Sequence, residues 1–167
     1  LVGRRKPEAT VQEFLNKLQS SVVKIDFKLF DIANFNSLNH ELAEYHSEID
    51  SIFHLAGVLA DAPVSKQSWE HFSTSISPKI FGAWNLHCFS KNQKINNFVL
   101  FSSQTGFIGN PGQVNYSLSN SFLDQLAHFR KEMGLPAMSI NWGPWAEVGM
   151  AAAPEVIQRM SARGVDL

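Results

Sequence analysis

Four residues in this chain are of the types, and at the separations, that can place a proton on a developing alkoxide. Ser103 follows the apolar run Phe98–Ser102, and Tyr116 comes thirteen residues later, near the start of a helical stretch. Asn120 lies four residues on, one turn along the same helix face. Lys79 falls in the long helical stretch that precedes the run. A phenol has a pKa near ~10 in water, and a nearby ammonium favours the phenolate and lowers it. If the four side chains meet at one mouth, Tyr116 is expected to act as a general acid within reach of neutral pH. The Ser103 hydroxyl is then expected to hold a carbonyl by a hydrogen bond that strengthens as negative charge develops. Taken singly, each residue has a plainer account. A serine after a strand caps a turn, a lysine on an amphipathic helix faces solvent, and a tyrosine packs in a core. Only the joint arrangement carries weight.

The elements that must position these residues alternate in period. Leu1–Arg5 reads as the end of a buried strand. Pro7–Ser20 has apolar residues at Val11, Phe14, Leu15 and Leu18, the spacing of one helix face. Val22–Phe30 reads as a strand, with Val23, Ile25, Phe27 and Leu29 alternating against Lys24, Asp26 and Lys28. A second helix is expected over Ser37–His46 and a strand over Ser51–Ala56, ended by Gly57. A long helical stretch starts at Ser65, with Trp69, Phe72, Ile76, Ile80 and Trp84 along one side; Pro78 must kink or divide it. Phe98–Ser103 is a continuous apolar strand, as in a parallel sheet covered on both faces. Val114–Met133 reads as a helix with Gly134 as its C-cap, Ala137–Trp142 as a last strand, and about 155–162 as a short helix. This alternation predicts an α/β fold, a doubly wound parallel sheet, with ligands bound outside the carboxyl ends of the strands.

Composition bounds the function. The 167 residues suit a single domain, and 44% hydrophobic with only 17% charged residues excludes a disordered tail or charged coiled coil. A net charge of −1 with no basic stripe argues against nucleic-acid binding, and no apolar run approaches the length of a membrane span. Cys88, the single cysteine, excludes an internal disulfide framework and a cysteine-based zinc site; a reducing cytoplasm fits best. The histidines, His40, His46, His54, His71, His87 and His128, have no metal-binding spacing and read as ordinary surface or core residues. Cys88 is expected to be a small buried residue, and Trp69, Trp84, Trp142 and Trp145 chiefly packing.

Five stretches carry a resemblance: His54–Asp61 (HLAGVLAD), Pro78–Leu86 (PKIFGAWNL), Phe101–Gly106 (FSSQTG), Gly109–Tyr116 (GNPGQVNY) and Asn141–Met150 (NWGPWAEVGM). In this order they resemble the ketoreductase domain of modular polyketide synthases, within the short-chain dehydrogenase/reductase superfamily, over nearly the whole chain. The resemblance implies a Rossmann-like fold with Ser103, Tyr116, Lys79 and Asn120 as a catalytic tetrad. The family's Lys and Asn are exchanged relative to other short-chain dehydrogenases, and this chain follows the exchanged pattern. It further implies NADPH as cofactor. Arg4 or Arg5 contacts the 2′-phosphate, Asp31 with Ile32 the adenine, and Ala56-Gly57 lie under the adenosine ribose. The implied substrate is a β-ketoacyl chain on the phosphopantetheine arm of an acyl carrier protein, among other polyketide synthase domains. Asp61, Gln113 and Trp145 are the implied substrate and stereocontrol residues. Leu59-Ala60-Asp61 keeps the last Asp of the B-type signature, and Ile108 stands where A-type domains tend to carry Trp. The expected product is therefore a D-configured β-hydroxyl. Leu118, in place of the proline of epimerising variants, implies reduction without epimerisation.

The family's first strand and glycine-rich phosphate loop are expected to precede Leu1, and its last strand to follow Leu167. Residues 1–167 therefore read as a truncated catalytic subdomain, inactive by itself, with unpaired sheet edges where the first strand belongs. One competing reading is the non-catalytic structural half of such ketoreductases, which has no need of an intact tetrad. Another is a free-standing dehydrogenase of small alcohols, which the exchanged Lys and Asn disfavour.

Overall fold

Two parallel ladders organise the chain, whose computed structural model describes residues 1–19 and 23–145 together with 157, 158 and 161. Strand β1 (Val2–Gly3) pairs with β2 (Lys28–Leu29), Val2 opposite Lys28. Strands β3 (Ser51–His54), β4 (Asn97–Ser103) and β5 (Met138–Trp142) form a second sheet in that order, with Ile52 opposite Phe98 and Ser103 opposite Trp142. The intervening helices are α1 (Ala9–Gln19), α2 (Phe35–Glu41), α3 (Trp69–Ile76), α4 (Gly82–Ser90), α5 (Thr105–Ile108) and α6 (Val114–Glu132). The fold is thus the expected α/β, Rossmann-like one with parallel strands. Parallel neighbours need a crossover of a dozen residues or more; α3 with α4 supplies it from β3 to β4, and α5 with α6 from β4 to β5.

Burial of Phe98, Val99, Leu100, Ser102 and Ser103 along β4 is what a central strand demands, because consecutive residues face opposite sides of the sheet. Leu38 of α2, Ala83 and Leu86 of α4 and Leu123 and Leu126 of α6 join Phe98 and Leu100 in one core. Helix α6 ends where Gly134 adopts φ 74°, a left-handed conformation that costs a glycine little. Arg130, fully buried, lies 3.8 Å over the Phe98 ring and donates to the Pro136 carbonyl, to His87 Nδ1 and to Ser90 Oγ. It ties the C-terminal end of α6 to α4 and β4. Burial lowers its pKa to about 10, still well above neutral.

Several elements depart from the sequence expectation. Of the described part of the strand expected over Val22–Phe30, Lys28 and Leu29 pair with β1, which offers them two residues; an alternating pattern forms no ladder without a partner. Helix α2 starts at Phe35, two residues before the expected start. Asn34, in an extended conformation, caps it by accepting from Ser37 N at 3.0 Å. It ends at Glu41, after which Ala43–Tyr45 tighten into a 3-10 turn. The long helix begins not at Ser65 but after Ser68, which forms a capping box with His71. Pro78 divides it: Ser77–Phe81 widen into a π turn between α3 and α4, since proline brings no N–H to the preceding turn. The side predicted from Trp69 to Trp84 is buried only in the middle; Ile76 is covered, and both tryptophans are exposed. In α1 only Leu15 is buried, while Val11, Phe14 and Leu18 are exposed. Cys88 is half-buried rather than buried. The helix expected over 155–162 lies outside the described residues except for 157, 158 and 161, which are helical. Among the described residues no helix is long and apolar enough to cross a membrane.

Candidate active site

The carboxyl ends of β3, β4 and β5 open onto the π turn and the first turn of α6, and the predicted tetrad gathers there. Lys79 is delivered by the π turn. The residue is 2% exposed, and Nζ donates to the Phe101 carbonyl of β4 at 2.8 Å. The same Nζ stands 5.4 Å from the centroid of the Tyr116 ring. Gly57, just past β3, lets it pass: a Cβ there would lie 3.0 Å from Lys79 Cε. Burial lowers the Lys79 pKa to about 8, against a weaker opposing pull from the Asp124 carboxylate.

Ser103 and Tyr116 are both buried. Ser103 also performs the turn role that its position suggested, accepting from Thr105 N at 3.3 Å. Tyr116 has its pKa raised, first by burial. The Asn120 and Ser103 side chains act on its phenol in the opposite direction, and the Asp61 carboxylate raises it further. This overturns the expectation that an ammonium would pull the phenol down. Desolvation is the largest influence on the phenol and decides the direction. Asn120, fully buried, donates Nδ2 to the Tyr116 carbonyl at 2.8 Å one turn back along α6, while its Oδ1 is buried without a partner among the described residues.

Two of the three expected substrate residues, Asp61 and Gln113, lie beside this group. Gln113, buried, donates Nε2 to Asp61 Oδ2 at 2.9 Å and accepts from Asn110 Nδ2 at 2.7 Å. Trp145 is exposed and meets Trp142 edge-on at 5.1 Å, and Trp142 in turn tilts over Phe101 at 5.6 Å. It therefore borders the end of the sheet rather than the tetrad itself. At the ends of β1 and β2, Arg4 approaches Asp31, Nη1 to Oδ2 3.9 Å, and Arg5 is exposed. Asp31 also accepts from Ala33 N, and the Ile32 carbonyl accepts from Asn85 Nδ2. Ala56 and Gly57 are half-buried beyond β3. A half-exposed guanidinium as donor, with a carboxylate beside it as acceptor, fits the adenosine end of a nicotinamide dinucleotide.

Two residues at the mouth were not singled out from the sequence. His54, the last residue of β3, lies with Nε2 3.3 Å from the Lys79 carbonyl, and burial followed by the Lys79 charge lowers its pKa to about 4. It is neutral at physiological pH and reads from sequence as an ordinary histidine; its place just before Ala56-Gly57 was the available signal. Asn115 is fully buried and its carboxamide bonds three segments, Ala60, His71 and Tyr116. Its signal was adjacency to the tyrosine.

The family model described as KR domain matches residues 1–147. Spectinabilin polyketide synthase system protein NorB of Streptomyces orinoci is 38% identical over 174 residues, covering 99% of this chain and 8% of that protein. Chalcone synthase cfoA of Aspergillus candidus is 40% identical over 163 residues, covering 93% of this chain and 6% of that protein. The chain therefore spans less than a tenth of the length of these curated relatives. Among solved structures, A-type ketoreductases from a modular polyketide synthase superpose with a TM-score of 0.90 at 34% identity, over 96% of this chain and 35% of that one.

Proposed function

This chain belongs to the ketoreductase (KR) domain family of the short-chain dehydrogenases, and from that premise we propose that it reduces a β-keto group to a β-hydroxyl within a polyketide synthase. Its catalytic residues in this reading are Ser103, Tyr116, Lys79 and Asn120. The supporting observation is the buried Tyr116 phenol with Ser103 and Asn120 acting on it and an ammonium 5.4 Å from its ring.

The cofactor of this reading is NADPH, with Arg4 toward its 2′-phosphate, assisted by Arg5, and Asp31, Ile32, Ala56 and Gly57 along its adenosine end. When bound, it supplies a hydride to the substrate carbonyl carbon. Tyr116 gives its phenolic proton to the carbonyl oxygen as negative charge appears there. The phenol carries its proton at neutral pH and so can give it up; burial, which raises the pKa, opposes the transfer, and the Asn120 and Ser103 side chains favour it. Ser103 hydrogen-bonds the same oxygen, and the bond tightens with the charge. Lys79 places positive charge near the phenolate that remains, and Asn120 holds the Tyr116 peptide in register.

The substrate we propose is a β-ketoacyl chain presented on the phosphopantetheine of an acyl carrier protein, with other synthase domains as partners, in a reducing cytoplasm. Asp61, Gln113 and Trp145 border its path. Asp61 at the end of Leu59-Ala60-Asp61 and Ile108 favour B-type reduction; chiral analysis is expected to show the D-hydroxyl, and an L-hydroxyl would overturn that reading.

The decisive experiment follows NADPH oxidation with a β-ketoacyl thioester. In the catalytically competent protein, Tyr116→Phe should lower kcat by roughly 10²- to 10⁴-fold. Wild-type turnover by that variant would leave a non-catalytic structural subdomain as the better account. In the same assay the 167-residue chain alone should be silent, since its described strands form two sheets with no ladder between them. Robust turnover by the isolated chain would refute that part.

A further inference from the structure

Three hydrogen bonds bind residues 60–62, the loop that carries Asp61, to residues 112–115, the approach to α6 that carries Tyr116. Ala62 N donates to the Gly112 carbonyl at 2.9 Å, Gln113 Nε2 to Asp61 Oδ2 at 2.9 Å, and Asn115 Nδ2 to the Ala60 carbonyl at 2.8 Å. The Asn115 bond differs in reach. The same nitrogen donates its second proton to the His71 carbonyl of α3 at 3.0 Å, and Oδ1 accepts from the Tyr116 amide at 2.9 Å. The side chain is fully buried and all three bonds are internal.

Only a carboxamide meets this demand. Two carbonyls require two donors on one nitrogen and the Tyr116 amide requires an acceptor, so a carboxylate fails the first and an aliphatic side chain fails both. The segments joined are those that build the mouth. Tyr116 has its amide held by Asn115 and its carbonyl by Asn120, so both ends of the residue are fixed by buried carboxamides. Helix α3 continues directly into the π turn that delivers Lys79.

We infer that Asn115 is a positioning residue whose carboxamide holds the Tyr116 backbone against the Asp61 loop and α3, fixing the phenol relative to the ammonium and the substrate side of the mouth. This inference rests on the proposed ketoreductase reading. A displacement of the order of an ångström is enough to slow a positioned proton transfer about a hundredfold, whereas Arg4, Asp31 and Ala56, at the adenosine end, make none of these bonds.

The test compares Asn115→Ala and Asn115→Ser with wild type in the catalytically competent protein, measuring kcat with a β-ketoacyl thioester and KM for NADPH. The expected result is a kcat lowered at least tenfold per folded site, with the NADPH KM unchanged within twofold. If Asn115→Ala does not fold, Asn115→Ser, which keeps a small polar group at the site, carries the measurement. A kcat within twofold of wild type in either folded variant overturns the inference, as does a kcat loss matched by an equal weakening of NADPH. Tyr116→Phe run alongside separates the two failures. If it stays active, the ketoreductase reading fails; if it is inactive while the Asn115 variants are normal, only the positioning role fails.

Discussion

Replacing Lys79 by methionine should stabilise the protein at pH 7 less than burial alone suggests, and in a way that fades as pH rises. Lys79 is 2% exposed as a residue and its pKa falls from 10.5 to about 8, so the folded protein holds a charge it would rather lose. The sign follows directly. A base whose folded pKa lies below its unfolded value penalises folding fully at low pH, and the penalty is relieved as pH rises from about 8 toward 10.5. At 1.36 kcal/mol for each pH unit the penalty is about 3 kcal/mol at pH 7 and about 1.4 kcal/mol at pH 9.5. Methionine fills much of the same volume without the charge but leaves the Phe101 carbonyl without its donor, which costs about 1–3 kcal/mol. The net gain at pH 7 is therefore about 0–2 kcal/mol. The difference between the two pH values does not depend on that offset: the advantage of Lys79→Met should shrink by about 2 kcal/mol between pH 7 and pH 9.5. Equilibrium denaturation of both proteins at the two pH values measures it, with NADPH oxidation expected to fall sharply in the variant. An advantage that is constant with pH, or grows, would show that Lys79 is not desolvated and would remove the electrostatic account of the mouth.

Arg4→Ala should raise the KM for NADPH roughly ten- to a hundredfold, the worth of one charge-assisted phosphate bond, while leaving that for NADH within about threefold. Steady-state kinetics with both cofactors checks this, and equal effects on the two would detach Arg4 from the 2′-phosphate; the exposed Arg4–Asp31 pair itself should contribute little stability. Arg130→Ala should cost about 3–5 kcal/mol, because it empties a fully buried site and strips donors from Pro136, His87 and Ser90. A loss below about 1 kcal/mol in denaturant unfolding would contradict that packing role.

Much of the fold was legible because it is local. The apolar run that became β4 ends at Ser103, Asn120 falls one turn after Tyr116, Pro78 breaks the long helix, and Gly134 stops α6. Each follows from the period of a single element or the backbone chemistry of a single residue. Val22–Phe30 shows the limit: alternation names a strand, but a ladder needs a neighbour, and β1 supplies only two residues. Asn34 shows another, since a cap is recognised by where its side chain points as much as by its type.

Sequence by itself determined which groups could act at the mouth, since residue type sets their chemistry and helix period sets Tyr116 beside Asn120. Tertiary structure decided their state. The π turn and the bare backbone of Gly57 bring Lys79 to Phe101, and burial of the phenol raises the Tyr116 pKa. Desolvation depends on everything packed around a group, most of it distant in the chain, so no pattern local to Tyr116 could have carried that sign.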